Sequence, residues 1–352
     1  MDQDQSMSIK DKKTSFFSQG VYGCVSYPRL RCDGNPVSKR DKKKTVSKVV
    51  VYNAIARNEL HIGKKLREST MDVPKHMFVY FKKACKVENN LLKKNKKLSK
   101  SCKVFQRNED DPDKSFVMMH GPYIKSNTIQ EHWRKVSYEK IIDLYDFALE
   151  AIDALLKLKI VHNDLKTNNI LVHDNNKSVF SLVDFGLSID VDKCLNGSNS
   201  LNVPYMKSLF IYDPRFIVWS LEHHLICYYF NYGKIVSSKK LRDFISYSLS
   251  YSLASEYYDV EKVYSYYASR LYEHDAITTM RTLFLDSYKT WDLYACSYMC
   301  LSRIKNQSNL LENRENTDLV RVLEKALHYD YRYRPSPQVH KEALEHFRKD
   351  TL

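Results

Sequence analysis

Two polar motifs interrupt strand-like apolar runs near the middle of the chain, and they limit what the chain can fold into. The first, VHNDLKTNNILV, spans residues 161–172 and places Asp164, Lys166 and Asn169 between apolar residues. The second, LVDFGL, follows at residues 182–187. Short apolar runs bounded by polar residues are typical of buried strands. The pattern therefore predicts a rigid turn that presents an acid, a base and an amide together.

Length, apolar content and charge indicate what kind of protein this is. A chain of 352 residues with 43% apolar content predicts a globular protein with one large domain or two lobes. The net charge of +14 is concentrated in residues 38–45 and 91–100. We interpret these lysine runs as solvated loops, with attraction to nucleic acid, an anionic membrane or an acidic protein as the alternative. No aromatic residues interleave them, which disfavours a base-stacking site.

The cysteines and the apolar segments bear on the compartment. Eight cysteines are scattered without a C-x-x-C pair, which predicts free thiols in a reducing compartment and no zinc ribbon or disulfide framework. Residues 1–14 are polar, so we expect a flexible N-terminus without a signal peptide. Residues 216–233 are the most apolar candidate for a membrane span. They contain Glu222, His223 and His224 and predict a core helix.

The order of the elements predicts a β-rich lobe followed by a helical lobe. Residues 15–27 favour a hairpin around two glycines, and residues 45–52 favour a strand. Residues 53–66 and 138–160 have helical spacing of apolar positions. After residue 205 the pattern is mostly helical and rich in tyrosine. We therefore predict an α+β fold with two lobes and a single helix in the first.

Two features of the first lobe are suited to phosphate. Gly20 and Gly23 lie three apart ahead of Val25, where backbone amides can approach phosphate oxygens, although two such glycines also occur in ordinary turns. Lys48 lies within the 45–52 strand. It is either an exposed lysine or one that holds the α- and β-phosphates. The second role needs a carboxylate partner, for which Glu59 on the following helix is placed.

The central motifs resemble those of the eukaryotic-type protein kinase superfamily over residues 15–348. VHNDLKTNNILV resembles the catalytic loop H-R-D-L-x-x-x-N, with Asn163 in place of the Arg, and LVDFGL contains D-F-G. The segments GVYGCVSYPRLRC, NELHIGKKL and the catalytic loop are similar in sequence to those of serine/threonine kinases of large nucleocytoplasmic DNA viruses, of the poxvirus, iridovirus and asfarvirus type.

The resemblance implies a role for each matching residue. Asp164 would accept the proton of the substrate hydroxyl, and Lys166 would neutralise the transferred γ-phosphoryl group. Asn169 and Asp184 would bind Mg²⁺, or Mn²⁺ in its place. The residues implied in binding ATP are Gly20, Val21, Tyr22, Gly23, Val25, Lys48, Met119 and Gly121. Lys48 and Glu59 complete the implied catalytic set.

The second lobe carries further matches. Asp292 in TWDLYACSY resembles the Asp that braces the catalytic loop, and Ser297 stands where Gly is usual. Arg334 resembles the Arg that pairs with the Glu of A-P-E. The sequence contains no A-P-E, so Glu222 is our candidate for that partner.

The resemblance also suggests domain bounds. We expect a kinase N-lobe and hinge over residues 15–121, with basic insertions at about 28–44 and 86–114. The C-lobe is expected over residues 122–348, with a tyrosine-rich helical insertion at about 223–285. Whether those tyrosines bind a partner or pack against the lobe stays open at this stage.

These matches predict an ATP-dependent serine/threonine protein kinase of viral origin. Its expected substrates are protein hydroxyls, including those of viral structural proteins, and its expected locations are the host cytoplasm and the virion. A pseudokinase that acts as a binding module is the main alternative, although Lys48, Asp164 and Asp184 are all present. A small-molecule phosphotransferase is disfavoured by Lys166. The lysine runs allow contact with acidic protein or nucleic acid as an added property.

Overall fold

The protein divides into two compact units. The computed structural model describes residues 16–20, 23–32, 44–174, 178–197, 200–235, 237–250, 253–273, 275–306 and 314–351. The first unit runs to Glu131 and also includes Leu171–Gly186, and the second comprises His132–Ile170 and the chain from Leu187 onward. The first contains the main sheet and the second is mainly helical, so the predicted α+β fold class is confirmed.

An antiparallel sheet forms the centre of the first unit, with strand order β1-β2-β3-β5-β4. Its strands are β1 (Phe16–Gln19), β2 (Gly23–Tyr27), β3 (Thr45–Val51), β4 (Lys83–Val87) and β5 (Phe116–Pro122). Phe16 pairs with Tyr27 and Gln19 with Cys24, which confirms the predicted hairpin.

Side chains alternate between the two faces along the central strands, so each face carries apolar residues. Helices cover both faces. Val50, Val117 and Met119 face helix α1 (Ala54–Glu68), which begins where the side chain of Asn53 accepts a hydrogen bond from the Ala56 N–H. The opposite face packs against three short helices. They are α2 (Asn89–Lys94), α3 (Lys96–Ser101) and α4 (Lys103–Gln106).

These three helices correct our interpretation of residues 86–114. We expected a solvated basic loop and only one helix in this lobe. The segment instead buries Leu92, Leu98 and Phe105 under the sheet. The high lysine content indicated a loop. The few apolar residues are nevertheless spaced so that short helices place them on one side, against the sheet.

The expectation of free thiols is wrong for four cysteines. Cys24 is joined to Cys102, and Cys32 to Cys85, across 78 and 53 residues of sequence. Sequence spacing could not reveal these pairs, because the sheet and its covering helices bring them together. Cys194, Cys227, Cys296 and Cys300 are free and buried.

The strands around the two central motifs are shorter than the runs IVHNDL, NILVHD and VFSLVDFGL, which the sequence pattern predicts as strands. In the first unit, apart from Ile170 at its boundary, β6 (Ser126–Thr128), β8 (Ile170–His173) and β9 (Phe180–Leu182) form a small sheet. In the second, β7 (Ile160–Val161) pairs with β10 (Ile189–Asp190). The extended runs stop early because Asn163 and Asp184 have φ of 62° and 65°, which no strand accommodates.

Helices make up most of the second unit. A short helix, α5 (Ile129–His132), leads into it. The others are α6 (Tyr138–Lys157), α7 (Val203–Leu209), α8 (Leu221–Tyr232), α9 (Ser238–Ser250), α10 (Val260–Glu273), α11 (Ala276–Ser287), α12 (Trp291–Lys305), α13 (Arg314–Ala326) and α14 (Pro337–Thr351). Within the described ranges, no helix has the length and apolar character that a membrane span requires.

A polar contact joins three of these helices inside the core. The Tyr145 hydroxyl on α6 lies 3.2 Å from the Ser297 hydroxyl on α12 and 2.9 Å from Nδ1 of His340 on α14. All three side chains are buried. Ser297, which stands at the position of the expected Gly, thus supplies a hydrogen-bonding partner for a buried tyrosine.

His340 predicts a loss of stability in acid. Burial, with Lys325 acting in the same direction, lowers the pKa of His340 from 6.5 to about 4. Between these values the unfolded chain binds more protons than the native protein, so stability falls as the pH falls through this window. The contribution is on the order of 3 kcal/mol.

Urea unfolding at the two ends of this pH window measures the effect. His340→Gln should lose most of this contribution to the pH dependence. His346→Gln, on the exposed side of the same helix, is the matched control and should keep it. An unchanged pH dependence in His340→Gln contradicts the assignment.

Candidate functional site

A buried lysine organises the site in the first unit. Nζ of Lys48 on β3 lies 2.8 and 2.9 Å from the two carboxylate oxygens of Glu59 on α1. It also lies 2.9 Å from Oδ1 of Asp184. The Lys48 side chain is only 8% exposed. A buried ammonium group is stable only with such partners, and the contact with Glu59 is the one that the sequence predicts.

The two carboxylates keep Lys48 charged. Burial alone would lower the pKa of Lys48, but Asp184 and Glu59 outweigh it and raise that pKa above its ordinary value. Burial raises the pKa of Glu59 to about 7, against the opposing effect of Lys48. The site therefore holds a fixed cation with its position set by two acids.

The D-F-G motif is fastened to helix α1. The ring of Phe185 is buried and meets Phe78 edge-on at a centroid distance of 6.1 Å. The Gly186 carbonyl accepts a hydrogen bond of 3.1 Å from the side-chain amide of Asn58. A Cβ at Gly186 would come within 3.0 Å of Cγ2 of Ile55. These contacts hold Asp184 in its left-handed backbone conformation, which costs energy for a residue other than glycine.

Packing requires a glycine at the start of β2. A Cβ at Gly23 would lie 2.5 Å from Cγ1 of Val50 and 3.5 Å from Cε of Lys48. The Gly20 N–H donates to the Gly23 carbonyl at 2.8 Å, which closes the turn. Val25 lies opposite Lys48 in the strand register. Val21 and Tyr22, which we predicted to contact ATP, lie outside the described residues.

The segment predicted to face adenine lies on β5. Met119 is buried and pairs with Lys48 across the sheet. A Cβ at Gly121 would come within 3.0 Å of the Phe81 ring, so this strand position favours glycine. The roles of Met119 and Gly121 in binding ATP stay predictions.

The second unit holds the catalytic-loop residues together. The side-chain amide of Asn169 donates to the Asp164 carbonyl and to Oδ2 of the Asp164 carboxylate, both at 2.8 Å. Nζ of Lys166 lies 2.9 Å from Oδ1 of the same carboxylate. The Asp164 side chain is 5% exposed and that of Lys166 is 32% exposed. One turn thus presents the acid, base and amide that the sequence pattern predicts.

Asp292 braces this loop from helix α12. Its carboxylate accepts hydrogen bonds from the N–H groups of His162, at 2.6 Å, and Asn163, at 2.8 Å. Burial raises the pKa of Asp292 to about 6, although these two hydrogen bonds act in the opposite direction. The contact predicted for Asp292 is present.

Neutral groups hold Asn163, the residue at the position of the usual Arg. Its side-chain amide donates to the Leu187 carbonyl at 3.1 Å. Its own carbonyl accepts a hydrogen bond of 2.7 Å from the indole N–H of Trp219. No motif pointed to Trp219, because an apolar residue in an apolar run carries no signal of such a contact.

A buried ion pair lies deeper in the second unit. Arg334 donates to both carboxylate oxygens of Glu222, at 2.5 and 2.9 Å, and both side chains are fully buried. Glu222 is therefore the partner of Arg334, as we predicted in the absence of an A-P-E motif. Two parallel hydrogen bonds make such a pair strong and directional.

Tyrosines of the predicted insertion surround this pair. The Tyr267 hydroxyl lies 3.4 Å from Oε2 of Glu222 and donates to the Tyr329 carbonyl at 2.9 Å. The Tyr266 hydroxyl donates to Asp330 at 2.8 Å. Tyr267 is buried and packs inside the unit, which answers for this side chain the question that the sequence left open. Tyr266 is only partly buried.

Comparison with known proteins agrees with this arrangement. The family model of the protein kinase domain matches residues 45–347. A search of curated proteins found no match. Among solved structures, the crystal structure of the BubR1 kinase domain is similar to this chain, with 13% identity and a TM-score of 0.53. The similarity covers 95% of this chain and 79% of that one.

The chain belongs to the protein kinase domain family, because the family model covers most of its length. Protein kinase domains use ATP and a divalent metal ion to phosphorylate proteins. The likeness to the BubR1 kinase domain supports the fold alone. Gly20, Gly23 and Val25 precede the matched residues, so their assignment depends on the geometry of the hairpin.

The Glu222–Arg334 pair predicts a large effect on stability. Glu222→Gln or Arg334→Met leaves an unpaired buried charge, which should cost about 3–5 kcal/mol in the free energy of unfolding. The double variant Glu222→Met/Arg334→Met buries no charge and should recover much of that loss. Urea unfolding measures both effects.

The exposed pair of Arg242 and Glu261, 2.9 Å apart, provides the control. Arg242→Met should change the stability little, since water screens that pair. Single variants at Glu222 and Arg334 as mild as this control contradict the prediction.

Proposed function

We propose that this chain is an active serine/threonine protein kinase, which transfers the γ-phosphoryl group of ATP to protein hydroxyls. The observation that carries the proposal is Lys48, held by Glu59 and Asp184 at 2.8–2.9 Å. A lysine fixed in this way matches the phosphate-binding lysine of protein kinases.

The residues present suit a hard divalent cation such as Mg²⁺. Such ions prefer oxygen ligands, and Mn²⁺ accepts the same ones. The Asp184 carboxylate supplies oxygens and stays 35% exposed. The amide nitrogen of Asn169 is taken up by Asp164, so its carbonyl oxygen is the atom suited to a metal. We propose that Asp184 and Asn169 bind the ion, which would neutralise phosphate charge.

The remaining residues would position the reacting groups. Lys48 is proposed to hold the α- and β-phosphates, with Glu59 setting its position. The Asp164 carboxylate is proposed to orient the substrate hydroxyl and accept its proton, while Lys166 balances charge on the transferred group. Little covalent chemistry is asked of the protein, because phosphoryl transfer depends mostly on positioning and charge.

The substrates proposed are serine and threonine hydroxyls of proteins, including viral structural proteins. Lys166 supports this, since it is the residue type of serine/threonine-directed members. We also propose a viral origin, with the host cytoplasm and the virion as locations. The sequence similarity of GVYGCVSYPRLRC, NELHIGKKL and the catalytic loop to viral kinases supports this. The exposed lysines of α2–α4, among them Lys93, Lys94 and Lys100, are suited to acidic proteins.

Substitutions at the Lys48 site should rank in a definite order. Lys48→Met should reduce phosphoryl transfer by a factor of about 100 or more, because it removes a charge aimed at the phosphates. Glu59→Gln should cost less, since Glu59 acts only by positioning Lys48. Initial rates with labelled ATP and a generic protein substrate measure both.

Lys64→Met provides the matched control, because Lys64 is exposed on the same helix as Glu59. It should keep the wild-type rate. A folded Lys48→Met variant with near wild-type turnover would show that the lysine is misassigned. A wild-type protein without transfer in the presence of ATP and Mg²⁺ would support the pseudokinase instead.

The phosphoacceptor prediction rests on Lys166 and its contact with Asp164. Phosphoamino-acid analysis of labelled substrates should yield phosphoserine and phosphothreonine with little phosphotyrosine. The Asp164→Asn variant, assayed in parallel, identifies any label that comes from a contaminating kinase. If phosphotyrosine predominates and disappears in the Asp164→Asn variant, the serine/threonine assignment is wrong. The protein would then be a protein kinase of other specificity.

A further inference from the structure

Two cysteines and a histidine meet in the first unit, on the face of the sheet opposite to Lys48, since His120 and Ser47 alternate with Met119 and Lys48 along paired strands. Cys32 follows strand β2, Cys85 lies on β4 and His120 on β5. One potential ligand atom from each lies within 4.8 Å of the other two. The strand register pairs Cys85 with Met118, so Cys85 and His120 are diagonal neighbours on the same face of the sheet.

The imidazole of His120 is aimed at both sulfur atoms. Its Nε2 lies 3.7 Å from Sγ of Cys32 and 3.8 Å from Sγ of Cys85. Ligands at about 2.1 Å (nitrogen) and 2.3 Å (sulfur) from a tetrahedral zinc ion are roughly 3.6 Å apart. The nitrogen-to-sulfur distances are therefore already close to those of a zinc site.

Ser47 holds the other side of the ring. Its hydroxyl oxygen lies 3.2 Å from Nδ1 of His120 and accepts the Leu30 N–H at 2.8 Å. The Leu30 carbonyl is 3.3 Å from the same oxygen and can accept the hydroxyl proton. Nδ1 then donates its proton to Ser47, and the lone pair of Nε2 points at the sulfurs. Metal-binding histidines are commonly oriented by such a partner.

In the structure the two sulfurs form a disulfide, and a disulfide cannot supply thiolate ligands. A dithiol reductant would transfer two electrons and two protons, becoming a cyclic disulfide and leaving Cys32 and Cys85 as thiols. A Zn²⁺ ion would then replace the two thiol protons. Two thiolates and one zinc ion carry no net charge together, which suits a site with the cations Arg29 and Lys83 nearby.

We propose that Cys32, Cys85 and His120 form a zinc site when the Cys32–Cys85 disulfide is reduced. These residues supply three ligands, and because Cys32 is exposed we expect a water molecule as the fourth. The segment after β2 would thus be fastened to β4 and β5 by a disulfide in one redox state and by a metal in the other. The site uses none of the residues proposed for catalysis.

Cobalt(II) provides the spectroscopic probe. The full-length protein is reduced with dithiothreitol, desalted under argon and titrated with Co²⁺. One ion per chain should bind, with the visible bands of tetrahedral cobalt and a thiolate-to-cobalt charge-transfer band in the near ultraviolet. Zn²⁺ should displace it and protect Cys32 and Cys85 from alkylation, as read by mass spectrometry. The oxidised protein should show neither band.

Variants identify the ligands. Cys32→Ser and His120→Asn should each abolish the tetrahedral cobalt spectrum, and Ser47→Ala should weaken binding about 10-fold by releasing the ring. Cys102→Ser, in the other disulfide, is the matched control and should keep the spectrum. Thermal unfolding confirms that each variant is folded; Cys32 is exposed, so that variant tests the site even if His120→Asn fails to fold.

Two results would overturn the proposal. The first is a reduced wild-type protein that gives no thiolate-to-cobalt band. The second is a band that survives in Cys32→Ser, which would assign the metal to other cysteines, such as Cys227 beside His223.

Discussion

The ammonium group of Lys48 links three parts of the first unit, which are strand β3, helix α1 and the D-F-G motif. A charge that is only 8% exposed must be paired, and the pairing partners come from α1 and from D-F-G. Helix α1 is therefore held against β3, and D-F-G is held against α1. Position 23 is limited to glycine for a related reason, because a Cβ there would clash with Val50 on the strand that carries Lys48. The proposed catalytic geometry and the packing of these elements thus involve the same charge.

The second unit contains two further buried sites in which charged side chains are satisfied by specific partners. Asp292 is buried beneath the catalytic loop and is satisfied by two backbone N–H groups. Glu222 and Arg334 are fully buried and satisfy each other. Tyr267 and Thr290 add hydrogen bonds around that pair. In each case the cost of burying a charge is offset only when the chain folds in one particular way, which makes these residues markers of the fold.

Local patterns predicted the parts of the fold that local sequence determines. The hairpin around Gly23, strand β3, and helices α1 and α6 follow from short-range periodicity. The Glu222–Arg334 contact came from a resemblance, since 112 residues separate the partners. The disulfides and helices α2–α4 escaped prediction for two reasons. Distant cysteines meet only through the sheet, and a lysine-rich segment needs few apolar residues to cover a face.

The predicted insertion begins and ends at one place. Near its start, the ring of His223 meets that of Trp291, just past its end, at 4.4 Å. Arg334 contacts both Glu222 and Thr290. The intervening helices are therefore a closed excursion of the chain. Since the entropic cost of closing a loop grows only slowly with its length, the turns between the helices of this excursion can lengthen without displacing the catalytic loop. We therefore expect added residues to be tolerated better in these turns than in the segments that hold Asp292 and Arg334.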